Sequence, residues 1–400
     1  MRGGGERILT THAGSLPRPD SLIAANRTRA AGEGGDRVLE ETLRAAVADV
    51  VRRQRAIGID VPGDGEFGKA MAERVNYGAW WRYSWRRLGG LDPNGPSLYE
   101  MAARRSRPGA VVLTSFRDRR DRTRFAAAYA DPDSGITTGP RPAAPICIAP
   151  IHYAGHDALR VDIANFKASL AAAGVEEGFM TAVAPGSAAR IGNAYYRTDE
   201  ELIYACAEAM REEYKAIVEA GLILQLDDPA LAENWDMINP EPTVEDYRKF
   251  TMIRVEALNY AIRGLPKDRI RFHLCWGSWH GPHTTDIAFR DIVEPMLAID
   301  ADAYSFEAGN VRHEHEWRVW QEVRLPDHKR ILPGVVSHAT NVVEHPELVA
   351  DRLLRFAGLV GPGRIVASTD CGLGGRVHPE IAWAKLEALA QGALLASRRL

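Results

Sequence analysis

The residues best suited to chemistry lie in the segment HLCWG, from His273 to Gly277. Side chains two positions apart on a β-strand point to the same face, so the imidazole of His273 and the thiol of Cys275 would lie side by side. Imidazole nitrogen and thiolate sulfur are ligands that zinc favours. A buried His–Cys pair in an ordinary protein core has the same spacing, so this segment alone leaves both interpretations open.

Two further candidate ligands each follow a strand-like run of their own. Glu307 lies in AYSFEAGN, and Cys371 lies in RIVASTDCGLGG. One His, two Cys and one Glu make up a four-ligand zinc set. The agreement of ligand types from separate strand ends favours a Zn²⁺ site over a core pair.

The elements that position these residues alternate along the chain. Strand-like runs at 7–14, 57–66, 178–185, 222–230, 270–277, 303–309, 331–339 and 364–372 are separated by amphipathic segments with helical spacing, such as 37–56, 198–220, 243–263 and 378–397. Thr198 and Thr243 each precede an acidic residue by three positions, which predicts helix N-caps. Eight strand–helix units in 400 residues predict one α/β domain over 1–400, a (β/α)₈ TIM barrel. The Trp-, Arg-, Gly- and Pro-rich stretch of about 77–155 predicts an insertion between the second and third barrel strands.

Polar residues concentrate at the carboxyl ends of the predicted strands, where barrels of this type build their active sites. These residues are Ser15, Asp64, Glu66, Asp227, Asp228, His273, Cys275, Glu307, His338, Asp370 and Cys371. The bias toward one rim predicts a site there. Carboxylates that merely cap strand-end turns are the alternative for the Asp64–Glu66 and Asp227–Asp228 pairs.

Composition excludes several classes of function. The net charge is −3 and no basic stripe interleaved with aromatic residues is present, so nucleic acid is not an expected partner. The N-terminus lacks the apolar core of a signal peptide and no apolar run is long enough to span a bilayer, which predicts a cytoplasmic protein without membrane contact. Four cysteines are too few for a disulfide scaffold, and Cys147 and Cys206 are expected to be core thiols. A homo-oligomer is compatible with this sequence.

Seven motifs in this order resemble the cobalamin-independent methionine synthase family: TTHAGSLPRP, DGEFGKA, QLDDPAL, HLCWG, SFEAGN, LPGVVSHATN and STDCGLGG. The resemblance is stronger to the short, single-barrel members, a group that includes epoxyalkane:coenzyme M transferases. It runs from about Thr10 to about Ser397 and is weakest across 77–144.

The resemblance implies roles for the residues that match its motifs. The zinc positions fall on His273, Cys275, Glu307 and Cys371. Glu66 and Asp227 occupy the positions that hold the amino group of homocysteine, and Ser15 occupies the position that binds its carboxylate. Asp228 stands where the long synthases have Glu, and His338 falls close to a histidine proposed as the proton donor to the folate leaving nitrogen.

The chemistry explains why such residues are needed. Only the thiolate is nucleophilic, and zinc lowers the pKa of a thiol that it binds, with Glu307 as an exchangeable ligand. An amine or epoxide oxygen leaves more easily when protonated, so His338 or Asp370 is expected to act as a general acid. The sequence therefore predicts a zinc-dependent S-methyltransferase of methionine biosynthesis whose partners are a small thiol, homocysteine first, and a methyl donor. Long synthases bind the folate tail with an additional N-terminal barrel, so the donor, folate or another, is left open.

Two alternatives follow from the same residues. The first is a transferase or lyase that acts on another thiol, such as coenzyme M with an epoxide, whose sulfonate would need a cation such as Arg18 or Arg376. The second is a non-catalytic barrel with structural zinc held by four protein ligands that no thiol displaces.

Overall fold

The computed structural model describes residues 7–33, 35–74, 76, 78–95, 104–113, 118–136 and 144–400. The strands are β1 (Leu9–Thr10), β2 (Leu88–Asp92), β3 (Ile146–Tyr153), β4 (Phe179–Val183), β5 (Gly192–Asn193), β6 (Ile223–Asp227), β7 (Ile270–Leu274), β8 (Ala303–Glu307), β9 (Arg330–Val336) and β10 (Val366–Thr369). The α-helices are α1 (Asp20–Ala30), α2 (Asp36–Ala56), α3 (Ala79–Arg87), α4 (Arg120–Arg124), α5 (Ala126–Ala130), α6 (His156–Ala172), α7 (Pro185–Ala188), α8 (Asp199–Glu219), α9 (Ala230–Glu233), α10 (Val244–Ile262), α11 (Phe289–Leu297), α12 (Val319–Glu322), α13 (Pro346–Val360) and α14 (Pro379–Ser397). Short 3₁₀ helices span Asn234–Met237, Lys267–Arg269, Glu314–Arg318 and Pro362–Arg364.

Seven strands form one parallel sheet in the order β1-β10-β9-β8-β7-β6-β4. Every residue of β4, β6, β7, β8 and β10 is buried, as expected for parallel strands that are covered on both faces. Seven of the eight predicted strands are thus confirmed, together with the α/β class. Within the described ranges, no helix is long and apolar enough to cross a membrane.

The sheet is curled, because both of its edges contact the same short segment. In that segment, the Val61 amide donates to the Thr10 carbonyl of β1 (3.0 Å), and the Pro62 carbonyl accepts from the Phe179 amide of β4 (3.0 Å). The segment 57–66 was predicted as the second strand, but it pairs as a strand only through a single bridge between Gly63 and Phe179. Pro62 has no amide hydrogen and Gly63 weakens a strand, which accounts for the short pairing. The regular strands alone therefore form a half-barrel.

A second, smaller sheet is formed by strands that lie between β1 and β6 along the chain. Its order is β2-β3-β5, with β2 antiparallel and β5 parallel to β3. Its strands β2 and β3, together with α3, α4 and α5, lie in the region predicted as the insertion at 77–155, whereas β5 lies outside that region. Residue 77 and the segments 96–103, 114–117 and 137–143 of that region lie outside the described residues.

The two predicted N-caps are confirmed. The hydroxyl of Thr198 accepts from the Glu201 amide (3.1 Å) at the start of α8, and that of Thr243 accepts from the Asp246 amide (3.1 Å) at the start of α10. Helix α8 packs against β4 and β6, and α10 packs against α8, so both helices help to hold the strands that carry polar residues.

Loss of either cap is expected to be measurable. Thr198→Ala and Thr243→Ala should each lower the free energy of unfolding by about 1 kcal/mol, because one helix-end amide loses its acceptor. Urea denaturation checks this result. Thr28→Ala is the matched control, since its exposed hydroxyl bonds only within α1 to the Ala24 carbonyl. An equal loss in the control would contradict the capping explanation.

Candidate functional site

Three of the predicted metal ligands come together at the carboxyl ends of the parallel strands. His273 lies near the end of β7, Cys275 follows that strand directly, and Cys371 follows β10. One nitrogen of His273 and the two sulfur atoms all lie within 4.8 Å of one another. The imidazole–thiol pair of HLCWG is therefore joined by a second thiol from a strand almost 100 residues away in the chain.

A contact with Ser305 fixes the orientation of the His273 ring. Its Nδ1 is 2.9 Å from the Ser305 Oγ on β8, whereas its Nε2 is buried and makes no hydrogen bond of normal geometry to a described residue. A buried polar atom without a partner costs about 1–3 kcal/mol unless a ligand occupies it. The ring thus presents one nitrogen toward the thiols, as metal-binding histidines do when a neighbour holds the other nitrogen. The donor set fits zinc.

The two thiols differ in acidity. A hydrogen bond from Cys275 and the neighbouring His273 ring hold the pKa of the Cys371 thiol well below its usual range, against the opposing effect of burial. The hydrogen bond to Cys371, together with burial, raises the pKa of Cys275. Cys371 is therefore the sulfur that most readily becomes the thiolate that a metal requires.

Ser305 was not singled out from the sequence, although it precedes Glu307 by two positions and so shares its strand face. Ser305→Ala is expected to weaken zinc binding by about 10- to 100-fold, because the imidazole loses the contact that orients it. Competition with a chromogenic chelator measures the affinity. Ser169→Ala, which removes a buried hydroxyl on α6 bonded to the Asn165 carbonyl, is the control and should leave zinc affinity unchanged. Equal affinities in both variants would argue against the orienting role.

Glu307 lies in an adjoining cluster with His338 and Asp370, whose ligand atoms are within 4.8 Å of one another. Its Oε1 accepts from the Trp276 amide (3.0 Å) and its Oε2 from the Asn310 Nδ2 (2.7 Å). Burial raises the pKa of Glu307 to about 8, and negative neighbours add to the rise. The structure does not group Glu307 with the three sulfur and nitrogen donors, so its place as fourth ligand stays a prediction.

The two proposed general acids have different acidities in this cluster. Burial lowers the pKa of His338 to about 3, so its ring is neutral near pH 7. Burial raises the pKa of Asp370 to about 6, although its Oδ1 accepts from the amides of Ala308 (2.7 Å) and Gly309 (2.8 Å). Of the two, Asp370 more readily carries a proton near neutrality.

A cavity of about 150 Å³ opens beside the thiols. Its lining includes Ser15, Glu66, Asp227, His273, Cys275 and Cys371 from the predicted site. The other predicted site residues, Asp228, Glu307, His338 and Asp370, are buried but are not among its described lining residues. Asp228 instead accepts a hydrogen bond from the Ser187 Oγ (2.7 Å).

Glu66 is held in a strained and partly unsatisfied state. Its backbone has φ of 61°, unusual for a residue other than glycine, and such strain concentrates at functional sites. Its Oε1 accepts from the Thr181 Oγ1 (2.8 Å) and lies 3.4 Å from the Lys69 Nζ. Its Oε2 is buried and has no hydrogen-bond partner within the part of the chain that the structure describes. This oxygen is available to a ligand's donor. A Cβ at Gly14 would lie only 2.7 Å from Oε1, so the close approach needs glycine.

Asp227 is positioned by a buried chain of polar side chains. Its Oδ1 accepts from the Gln225 Nε2 (2.7 Å), and the Arg271 Nε donates to the Gln225 Oε1 (2.6 Å). Burial raises the pKa of Asp227 to about 7. Gln225 and Arg271 precede Asp227 and His273 by two positions, so the two-residue strand repeat contained a signal for them.

The two arginines considered for a sulfonate occupy different places. Arg18 donates to the carbonyls of Glu66 and Lys69 and so braces the loop that carries Glu66. Arg376 lines the cavity and donates to the Ser278 Oγ (2.9 and 2.6 Å). Only Arg376 of this pair is among the described lining residues.

Comparison with known proteins identifies the family. A family model described as "Cobalamin-independent synthase, Catalytic domain" matches residues 137–393, more than half of the chain. The chain belongs to this family. The resemblance carried by the seven sequence motifs is thereby confirmed, and the chain is a member of an enzyme family rather than an unrelated barrel.

Relatives match over almost their whole length. A methionine synthase of Saccharolobus solfataricus is 25% identical over 392 residues, covering 96% of this chain and 93% of the relative. A 2-hydroxypropyl-CoM lyase of Xanthobacter autotrophicus is 25% identical over 425 residues, covering 98% of this chain and 96% of the relative.

Among solved structures, a B12-independent methionine synthase from Shewanella sp. W3-18-1 has a TM-score of 0.69 at 19% identity, covering 98% of both chains. One from Listeria monocytogenes has a TM-score of 0.65 at 18% identity, covering 96% of this chain and 98% of that one. The structural likeness shows that the fold is shared.

Proposed function

We propose that this chain transfers a methyl group to the thiol of homocysteine, giving methionine, and that it depends on zinc. The observation that supports this best is that one cavity presents a nitrogen and two sulfur donors beside two carboxylates. Zinc held by His273, Cys275 and Cys371, with Glu307 as the fourth ligand, would lower the pKa of a substrate thiol and so supply the thiolate nucleophile.

The carboxylates of Glu66 and Asp227 bind the ammonium group of the thiol substrate. Glu66 and Asp227 line the same cavity, and the Glu66 Oε2 is an acceptor without a partner in the described chain. A buried carboxylate pair favours a cationic partner, and the ammonium group of homocysteine is one. Ser15 also lines the cavity, where its hydroxyl can donate to the carboxylate of the amino acid. These contacts orient the sulfur toward the His273–Cys371 side.

A proton source is needed on the donor side, because an amine leaves more easily when protonated. We assign this task to the cluster of His338 and Asp370. Burial raises the pKa of Asp370 to about 6, which makes it the more readily protonated of the two groups, and the neutral His338 ring can accept a proton at one nitrogen and donate from the other.

The test is a titration of the zinc-loaded protein with thiols, followed by X-ray absorption at the zinc edge. We expect a further sulfur to enter the zinc shell with homocysteine and not with coenzyme M. An unchanged shell with every thiol would contradict the proposal and would favour the structural-zinc alternative.

A second candidate is the addition of coenzyme M to an epoxide, or its reverse. It is supported by the 2-hydroxypropyl-CoM lyase among the relatives and by Arg376, whose guanidinium in the cavity wall could pair with a sulfonate. In the same titration this candidate requires coenzyme M to enter the zinc shell and homocysteine to stay out.

The architecture that supports this activity is a single domain over residues 1–400. We propose that the segment 57–66 acts as the second strand of a closed (β/α)₈ barrel, since it is hydrogen-bonded to both edges of the curled sheet. The region of about 77–155 is then an insertion after that strand, which roofs the cavity through α3 and the residues around α4.

A further inference from the structure

A buried ion cluster joins the loops that follow β7 and β8. The Asp286 Oδ2 lies 2.9 Å from the His283 Nδ1 and 3.2 Å from the His313 Nε2, and the His313 Nδ1 lies 2.8 Å from the Glu316 Oε2. The side chains of Asp286 and His313 are each only 4% exposed. These four residues are not among the described groups that have the ligand spacing of a metal site. The proposed methyl transfer does not use them either, so their ion cluster calls for another role.

Both imidazoles of the ion cluster are cations. A neutral imidazole carries one N–H, yet each nitrogen of His313 faces a carboxylate oxygen. His283 likewise faces the Asp286 carboxylate with its Nδ1 and the Trp279 carbonyl with its Nε2 (3.0 Å). Burial opposes the charge, but the hydrogen bonds to Asp286 and Glu316 raise the pKa of His313 to about 10. Both rings are therefore fixed at both of their nitrogens.

Each of these rings lies against a tryptophan of the loop after β7. The His313 ring stacks on Trp276 with the ring centroids 4.0 Å apart, and the His283 ring lies 3.9 Å from that of Trp279. The backbone of His283 has φ of 54°, a strain that persists only where the surrounding contacts enforce it. Trp276 directly follows the predicted zinc ligand Cys275, and Trp279 lines the cavity. The ion cluster thus braces the loop that borders the thiols.

The two hydrogen bonds that hold the Glu307 carboxylate both come from residues that contact His313. The Trp276 amide donates to the Glu307 Oε1 (3.0 Å), and the indole of Trp276 carries the His313 ring. The Asn310 Nδ2 donates to the Glu307 Oε2 (2.7 Å), and the Asn310 Oδ1 in turn accepts from the His313 amide (3.0 Å). His313 is therefore a common support for both donors. Such partners behind a carboxylate ligand fix its orientation.

We propose that His313, clamped between Asp286 and Glu316, is a positioning residue that orients the Glu307 carboxylate for zinc binding. The inference rests on the proposed function, in which Glu307 is the fourth zinc ligand. His313 acts through Trp276 and Asn310, and it is not among the described residues that line the cavity. Substitution of residues that support a metal ligand in this way typically changes metal affinity by about 10- to 100-fold.

The test is the zinc affinity of His313→Phe, measured by competition with a chromogenic chelator. The phenyl ring keeps an apolar contact with Trp276 but donates to neither carboxylate, so the affinity should fall about 10-fold or more. In a Glu307→Gln background the same change should alter the affinity less than about 2-fold, because the carboxylate that His313 orients is already absent. The matched control is His156→Phe, whose exposed imidazole on α6 also contacts an aromatic ring and a carboxylate. It should leave zinc affinity unchanged.

A second variant carries the test if His313→Phe does not fold. Asp286→Ala removes the acceptor that the two imidazoles share, and it should also lower zinc affinity about 10-fold. Asp286→Asn keeps an oxygen acceptor and should restore the affinity to within about 3-fold of the wild-type value. Thermal unfolding of each variant checks that the fold is retained. A purely structural role would lower the Tm of Asp286→Ala and leave the zinc affinity of the folded protein unchanged.

Two outcomes would overturn the proposal: unchanged zinc affinity in both His313→Phe and Asp286→Ala, or an equal fold-loss for His313→Phe with and without the Glu307 carboxylate. The homocysteine titration at the zinc edge is repeated on His313→Phe at saturating zinc. If sulfur enters the zinc shell there while zinc affinity is unchanged, the positioning role is refuted and the proposed function stands.

Discussion

Cys371→Ser is expected to lower zinc affinity by at least about 100-fold and to abolish methyl transfer to homocysteine. Cys371 is the thiol whose pKa lies well below its usual range, so it supplies the readiest thiolate to the donor set. A serine hydroxyl at the same place is a far weaker zinc ligand, because it stays protonated. Metal content after dialysis against a chelator, and product formation by the same samples, measure the two effects.

The matched control is Cys147→Ser. Cys147 is buried, and its thiol donates to the Ala149 carbonyl (3.3 Å), a contact that a hydroxyl can retain. This variant should keep its zinc and its activity. If Cys371→Ser retained full metal content, Cys371 would leave the ligand set, and loss of zinc in both variants would indicate a general effect on folding instead.

The nitrogen and sulfur donors could be predicted from the sequence because two local rules apply to them. His273 and Cys275 follow the two-residue repeat of a strand, and Cys371 stands at the carboxyl end of another strand, where parallel sheets gather their functional residues. The structure brings these three together, as their spacing required. Glu307 obeyed the same rules, yet hydrogen bonds from Trp276 and Asn310 hold its carboxylate in the neighbouring cluster. Strand position does not determine which of two adjacent clusters a side chain joins.

Other parts of the site depend on contacts between distant segments. The Arg- and Trp-rich stretch that supplies Arg82 and Arg122 has no clear strand or helix repeat, so the sequence placed it only as an insertion. Its side chains reach the cavity because α3 and α4 lie over the strand ends. In the segment 57–66, Pro62 and Gly63 limit regular pairing, although the apolar pattern predicts a strand. The apolar pattern favours a strand in this segment, but Pro62 has no amide hydrogen to donate, so regular pairing does not extend along it.

Glu66→Gln and Asp227→Asn are expected to raise the KM for homocysteine by roughly 30-fold or more, which corresponds to about 2 kcal/mol for loss of a buried charge pair. The amide cannot balance the ammonium charge. Its NH₂ group is a hydrogen-bond donor and would face the ammonium group, which is also a donor. If the carboxylates hold substrate and transition state equally, kcat should change little. Steady-state kinetics with varied homocysteine separate KM from kcat.

The decisive control is the substrate rather than a second variant. The thiol 4-mercaptobutyrate lacks the amino group of homocysteine but keeps its sulfur and carboxylate, so neither substitution removes a contact that it makes. Both variants should use it about as well as the wild-type protein does. An equal loss with both thiols would mean that Glu66 and Asp227 support the cavity or the metal rather than the ammonium group. Because the Glu66 Oε2 has no protein partner among the described residues while its Oε1 is held by Thr181, the ammonium explanation predicts the larger KM effect at Glu66.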